Sequence, residues 1–64
     1  MNNELKSVRK ASGKTQNQVA EESDVNVQQY QNYEYGKREP GVRTAIRIAK
    51  ALGTTVEDLF PVDE

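Results

Sequence analysis

Residues 15–34, TQNQVAEESDVNVQQYQNYE, hold two short helical patterns separated by a turn of a few residues. Thr15 and Gln18 have the spacing of a capping box, in which the hydroxyl accepts from the third helical amide and the Gln side chain reaches back to the cap. Val19 and Ala20 supply the buried side, and the small Ala20 lets another helix cross closely. Ser23 and Asp24 interrupt the pattern, and Asp is one of the few non-glycine residues that tolerates a left-handed turn. Val25 plugs the turn, Asn26 caps a third helix, and that helix runs from Val27 to about Tyr35. Tyr30 and Tyr33, three apart, point inward, and Gly36 closes the helix. Val27, Gln28, Gln31 and Asn32 are left on the outward side, a face made nearly all of amides.

Upstream, Asn3 caps a first helix with Glu4 in its first turn, Leu5 and Val8 share one face, and Gly13 ends it. So few apolar residues make this helix depend on packing and not on its own propensity. Downstream, Lys37, Arg38, Glu39 and Pro40 form a basic loop that cannot continue a helix through Pro40. A fourth helix, about Val42 to Leu52, carries Ala45, Ile46, Ile48, Ala49 and Leu52 at core spacing and ends at Gly53. Thr55 caps a short fifth helix containing Val56, Leu59 and Phe60, which Pro61 stops. The expected fold is all-α: one compact five-helix domain over residues 1–64, with no strand and no internal repeat.

The chain has 64 residues, and a chain this short buries only about 60% of the surface its unfolded form exposes, which leaves little room for an enclosed active site. It has no Cys and no His, which removes disulfides and the usual zinc sites together. With no carboxylate pair framed by an apolar pocket either, the residues argue against an enzyme and call for no cofactor, metal or small-molecule substrate. No apolar run approaches the roughly 20 residues of a membrane span, and the polar start MNNELKSVRK has no signal-peptide core, so a cytoplasmic protein is the expectation. The formal charge of −1 argues against a nucleic-acid partner until its distribution is read. Lys37 to Lys50 carries five basic residues and one acid, whereas Gly53 to Glu64 carries four acids and no base, so one face can be positive on a chain that is nearly neutral.

Two helices joined by a tight turn, the second with a polar outer face, is the arrangement that places a helix in the major groove of double-stranded DNA. Gln and Asn suit that position because each presents a donor beside an acceptor, matching the N6 and N7 edge of adenine. Val27, at the helix start, can touch a thymine methyl. Gln16, at the start of the second helix, sits where anions are favoured.

At the level of the whole chain the sequence resembles the Cro and phage-repressor type helix-turn-helix family, also called the xenobiotic-response-element family. The residues that carry the resemblance are GKTQNQVAEESDV, then Tyr30, Tyr33, Glu34, Gly36 and Pro40, then the closing IAKALGTTVEDLF, covering about Leu5 to Phe60. It implies a lambda-repressor-like domain whose second helix crosses the DNA backbone while the third reads the groove. By position it implies phosphate contact from Gln16, Lys37, Arg38 and Arg43, and contact with bases or their flanking phosphates from Val27, Gln28, Gln31 and Asn32. It further implies a partly buried ion pair between Arg9 and Glu34, tying the first helix to the end of the third. Departures from the family pattern are Lys14 where an apolar residue is common, Asp24 in place of a turn glycine, Thr54 where Val or Ile is frequent, and Tyr30 and Tyr33 in place of aliphatics. The first three are expected to weaken the core or turn slightly, and each Tyr hydroxyl to need water or a polar partner.

The function expected on these grounds is a sequence-specific transcriptional regulator, a repressor acting as a homodimer on a two-fold operator, with no membrane partner. Residues of the loop before the fourth helix, or the C-terminal helix through Phe60 or Val62, are the candidates for the dimer surface. Two other readings stay open: an antitoxin-type autoregulator, disfavoured by the lack of an extra tail to neutralise a toxin, and a protein-interaction module that has lost DNA binding.

Overall fold

The computed structural model describes residues 3–62, which form five helices: α1 (Leu5–Ala11), α2 (Gln16–Glu22), α3 (Val27–Glu34), α4 (Val42–Leu52) and α5 (Val56–Leu59). Among the described residues there is no strand, and no helix is long and apolar enough to cross a membrane. α2 packs against α3 and α4, α4 carries α5, and α1 lies on α3.

Local hydrogen bonding explains most of the boundaries. Thr15 and Gln18 form the full capping box, with Gln18 N donating to Thr15 Oγ1 at 3.1 Å and Thr15 N to Gln18 Oε1 at 2.8 Å. Asn26 and Thr55 cap α3 and α5 by accepting from the amides of Gln29 and Asp58. The cap residue of α1 is Glu4 and not the expected Asn3, because the helix begins at Leu5; Asn3, one residue before it, accepts from Leu5 N through Oδ1 while its Nδ2 donates 2.8 Å to the Tyr33 carbonyl, tying the start of α1 to α3. The turn between α2 and α3 is a Schellman ending, with Asp24 N bonded to Glu21 O and Val25 N to Ala20 O. This geometry needs a left-handed residue, and Asp24 takes φ 59° where a glycine would be usual.

The core is one cluster built from Leu5, Val19, Ala20, Tyr30, Ile48, Ala49, Leu52 and Leu59, with Val8, Val25, Val27, Tyr33, Val56 and Phe60 packed on its edge. Each helix thus contributes to it. Burying a Leu, Ile or Val contributes about 1.5–3 kcal/mol, and Leu5, Val19, Ile48 and Leu59 are fully buried.

Several sequence expectations need correction. Ile46 is 42% exposed and lies outside the core, because Ala45, Ile48, Ala49 and Leu52 already fill the inward stripe of α4 and leave Val42 and Ile46, four apart, on its outer side. α3 ends at Glu34 with Tyr35 as its cap, and α5 at Leu59 with Phe60 as its cap, each one residue earlier than the apolar and aromatic pattern suggests. Tyr30 is fully buried, and its hydroxyl lacks a well-formed hydrogen bond. Lys14 and Thr54, expected to weaken the core, instead hold polar partners. Lys14 Nζ reaches Glu22 Oε1 and the Ala51 carbonyl, each at 2.7 Å, which satisfies a carbonyl at the end of α4. Thr54 Oγ1 donates to Asp58 Oδ2 at 3.1 Å.

Candidate nucleic-acid interface

On α3, Tyr30 faces the core at full burial and Tyr33 is half-buried beside it. At about 100° per residue the opposite face carries Gln28, Asn32 and Tyr35. Gln28 and Tyr35 are exposed and Asn32 is half-buried. Val27 and Gln31 fall on the flank turned toward α2 and are both half-buried, Val27 by packing on the core and Gln31 by a contact with Gln16. Thus the four outward residues of the sequence reading divide into two that stand free of α2 and two held against the scaffold.

The basic loop is fixed to the end of α3. Gly36 takes φ 76°, its N–H bonds the Tyr33 carbonyl at 3.2 Å, and Lys37 N bonds the Asn32 carbonyl at 2.9 Å, which completes a second Schellman ending. Arg38 N adds a longer bond to the same Asn32 oxygen at 3.3 Å. A polar groove runs beside this junction, lined by Asn26, Gln28, Gln29, Asn32, Tyr33, Arg38 and Glu39. Lys37, Arg38 and Arg43 are exposed, and none is engaged in an ion pair among the described residues. They are cations without an internal task, the condition a phosphate contact requires.

Behind this surface lies a polar network. Arg9 Nε meets Glu34 Oε2 at 2.7 Å and Arg9 Nη2 meets Glu34 Oε1 at 3.3 Å, while Arg9 Nη1 donates to the Lys14 carbonyl at 3.0 Å. The Glu34 side chain is 1% exposed. Burial pushes its pKa up, but hydrogen bonds from Arg9, and then from the Tyr30 and Gln16 side, together with the Arg9 charge, outweigh this and hold the carboxyl below its ordinary range. The Arg9 guanidinium is shifted up, first by its hydrogen bond to Glu34. Burial, then the neighbouring Glu34 carboxylate, drives the Tyr30 phenol well above its ordinary value. The carboxylate is close enough to oppose ionisation of the phenol, although the hydroxyl is not aligned into a full hydrogen bond. Gln16 extends the network outward, its Nε2 donating to Glu34 Oε1 and its Oε1 accepting from Gln31 Nε2, both at 3.1 Å.

Tyr35 escaped the sequence reading as a surface residue. Tyr35 is 61% exposed and stands seven residues after Gln28 and three after Asn32, so its spacing already placed it on the outer face. Gln29 lines the groove from the other flank.

The family model described as helix-turn-helix matches residues 5–59. The chain is 36% identical over 55 residues to the cryptic phage CTXphi transcriptional repressor RstR of Vibrio cholerae, an alignment covering 86% of this chain and 49% of that protein. It is 37% identical over 60 residues to an uncharacterised HTH-type transcriptional regulator of Methanocaldococcus jannaschii, covering 94% of this chain and 91% of the relative. The chain therefore spans about half the length of the first and nearly all of the second.

Proposed function

We propose, from the premise that this chain belongs to the helix-turn-helix family, that it is a DNA-binding transcriptional regulator that reads the major groove with α3. The observation that carries this is the outer face of α3: Gln28, Asn32 and Tyr35 in a row, with three unpaired cations on the loop and helix that follow. Amides on a rigid helix read base edges, and the cations hold the duplex backbone in register. Within this reading Gln28 and Asn32 are the central base contacts, with Val27 and Gln31 on the flank near α2. Gln16, Lys37, Arg38 and Arg43 contact phosphates.

Repression by occupancy of a promoter, in the cytoplasm, is the mode we propose, supported by the likeness to a phage repressor. One α3 reads only a few base pairs, so a homodimer on half-sites about 34–36 Å apart is part of the proposal. Exposed apolar residues are available to a second copy: Val42 and Ile46 on one side of α4, and Val62 near the C-terminal end. Phe60, the other residue expected there, packs partly on the core.

Selection of bound sites from random duplexes, followed by affinity against salt on the selected site, tests the proposal. The expected result is a two-fold site and a log–log slope of about −0.9 per phosphate neutralised. No enriched sequence, or an affinity that does not respond to salt, would overturn it.

A further inference from the structure

Glu39 carries the wrong charge for a surface that meets phosphates. It stands in the basic loop, with Lys37 and Arg38 before it and Arg43 after it, and lines the polar groove together with Gln28, Gln29 and Asn32 of α3. Its side chain is exposed, and among the described residues it makes neither an ion pair nor a hydrogen bond, so no contact within the fold uses its carboxylate. The backbone that carries it is held in place. The amides of Lys37 and Arg38 both bond the Asn32 carbonyl, at 2.9 and 3.3 Å, and Pro40 restricts the residue before it to extended conformations. Beside a duplex, a free carboxylate on this loop opposes binding unless it meets a donor. An ionised carboxylate can only accept, and in the major groove only adenine, through N6, and cytosine, through N4, offer a donor. Adenine sets the N7 acceptor beside its N6 group, turning a lone pair toward the carboxylate, whereas cytosine presents N4 alone. Guanine and thymine show it only acceptors or a methyl group. Of the four bases, cytosine is the one that Glu39 suits.

We infer that Glu39 is a specificity-determining residue, which enters the major groove beside Gln28 and accepts a hydrogen bond from N4 of a cytosine. The inference rests on the DNA-binding reading of α3. Gln28 on the helix and Glu39 on the loop line the same groove, so the bases they read lie close together in the site. The neighbouring cations offset the repulsion between the carboxylate and the phosphates. On a duplex without cytosine at that position the carboxylate loses its partner while the repulsion stands, so selectivity comes from rejecting other bases as much as from accepting cytosine.

The test compares the whole chain with Glu39→Ala and Glu39→Gln, by selection of sites from random duplexes and by competition between duplexes differing at single positions. Because Glu39 is exposed and unpaired, both variants should melt near the wild type, so changes in binding report on DNA contact. The wild type is expected to favour cytosine at one position by about fivefold or more, and Glu39→Ala to lose that preference while binding random duplexes more tightly. Glu39→Gln keeps the size of the side chain and adds a donor, so its preference at that position should move from cytosine to adenine, which Gln matches at N6 and N7. A uniform gain in affinity for all duplexes in both variants, with base preference unchanged, would show that Glu39 only repels phosphates. That result would overturn the inference while leaving the DNA-binding reading intact, whereas a wild-type chain that selects no sequence would overturn the functional reading itself.

Discussion

Arg9 and Glu34, 25 residues apart in the chain, are joined by two hydrogen bonds of 2.7 and 3.3 Å, with the Glu34 side chain almost wholly enclosed. Removing one partner strands a buried charge, at a cost of about 3–5 kcal/mol. A domain of this length has a total stability of the order of 3–10 kcal/mol. Arg9→Ala is therefore expected to remove a large share of the total stability, as read by circular dichroism and denaturant titration. The double variant Arg9→Met/Glu34→Leu removes both charges and is expected to regain most of the loss. Equal instability of single and double variants would show that the pair's shape matters and its charge does not.

The pair also fixes the acid limit of the fold. Glu34 has a folded pKa below its ordinary 4.5, so it contributes stability that is fully present above 4.5 and is lost as pH falls through the folded value. Stability should decline on acidification below about pH 4.5, with more protons bound by the unfolded chain. The same titration in Arg9→Met/Glu34→Leu should fall less steeply over that window. An unchanged slope would mean other carboxylates govern acid unfolding.

Tyr30 sets the opposite limit. Its phenol is held protonated in the fold above the ordinary value of 10.0, so its contribution is complete below pH 10 and declines as pH rises beyond it. Tyrosinate absorbance should therefore be unaltered by Tyr30→Phe so long as the chain is folded at pH 10. Above that, the wild type should lose stability more steeply than Tyr30→Phe. A tyrosinate signal that shrinks in the folded Tyr30→Phe chain would contradict the enclosure of this hydroxyl.

Ser23 lies fully buried at the end of α2, and its hydroxyl has no hydrogen-bond partner. An unmade bond in the interior costs about 1–3 kcal/mol relative to a satisfied group, and alanine fits the same backbone. Ser23→Ala is expected to raise stability by about 1 kcal/mol in denaturant melts. A lower midpoint would show that the hydroxyl is partnered.

What could be read from the chain alone follows the range of the interactions. The Thr15 capping box, the Asn26 and Thr55 caps and the left-handed Asp24 act within four residues, and each is found where spacing placed it. Arg9 and Glu34 were brought together only by resemblance to a family, since no local pattern links residues 25 apart. Long-range facts were illegible for the same reason. The Lys14 bond to the Ala51 carbonyl spans 37 residues, and the burial of Ser23 depends on how the helices close around it. At the candidate interface, periodicity found the outer face of α3 but not the partial burial of Gln31, because Gln16 on α2 meets it there. Ile46 failed on the converse point: an apolar residue beside a full stripe has nowhere inward to go.

The two kinds of contact proposed on the DNA surface differ in what their removal does. Gln28 is exposed on the outer face of α3 and reads a base edge, so Gln28→Ala should cost about 1–3 kcal/mol on the selected site and relax preference at its own position. Arg43 is exposed in the first turn of α4 and serves any sequence alike. Arg43→Ala should weaken selected and random duplexes by the same factor and reduce the salt slope by about 0.9, one phosphate contact. Both substitutions fall on exposed side chains, where effects on folding stay within about 0.5 kcal/mol, so melting midpoints should stay near wild type. Binding curves at several salt concentrations on selected and scrambled duplexes separate the two. If Gln28→Ala lowered affinity equally for both duplexes, or Arg43→Ala altered base preference, the division of this surface into reading and gripping residues would be wrong.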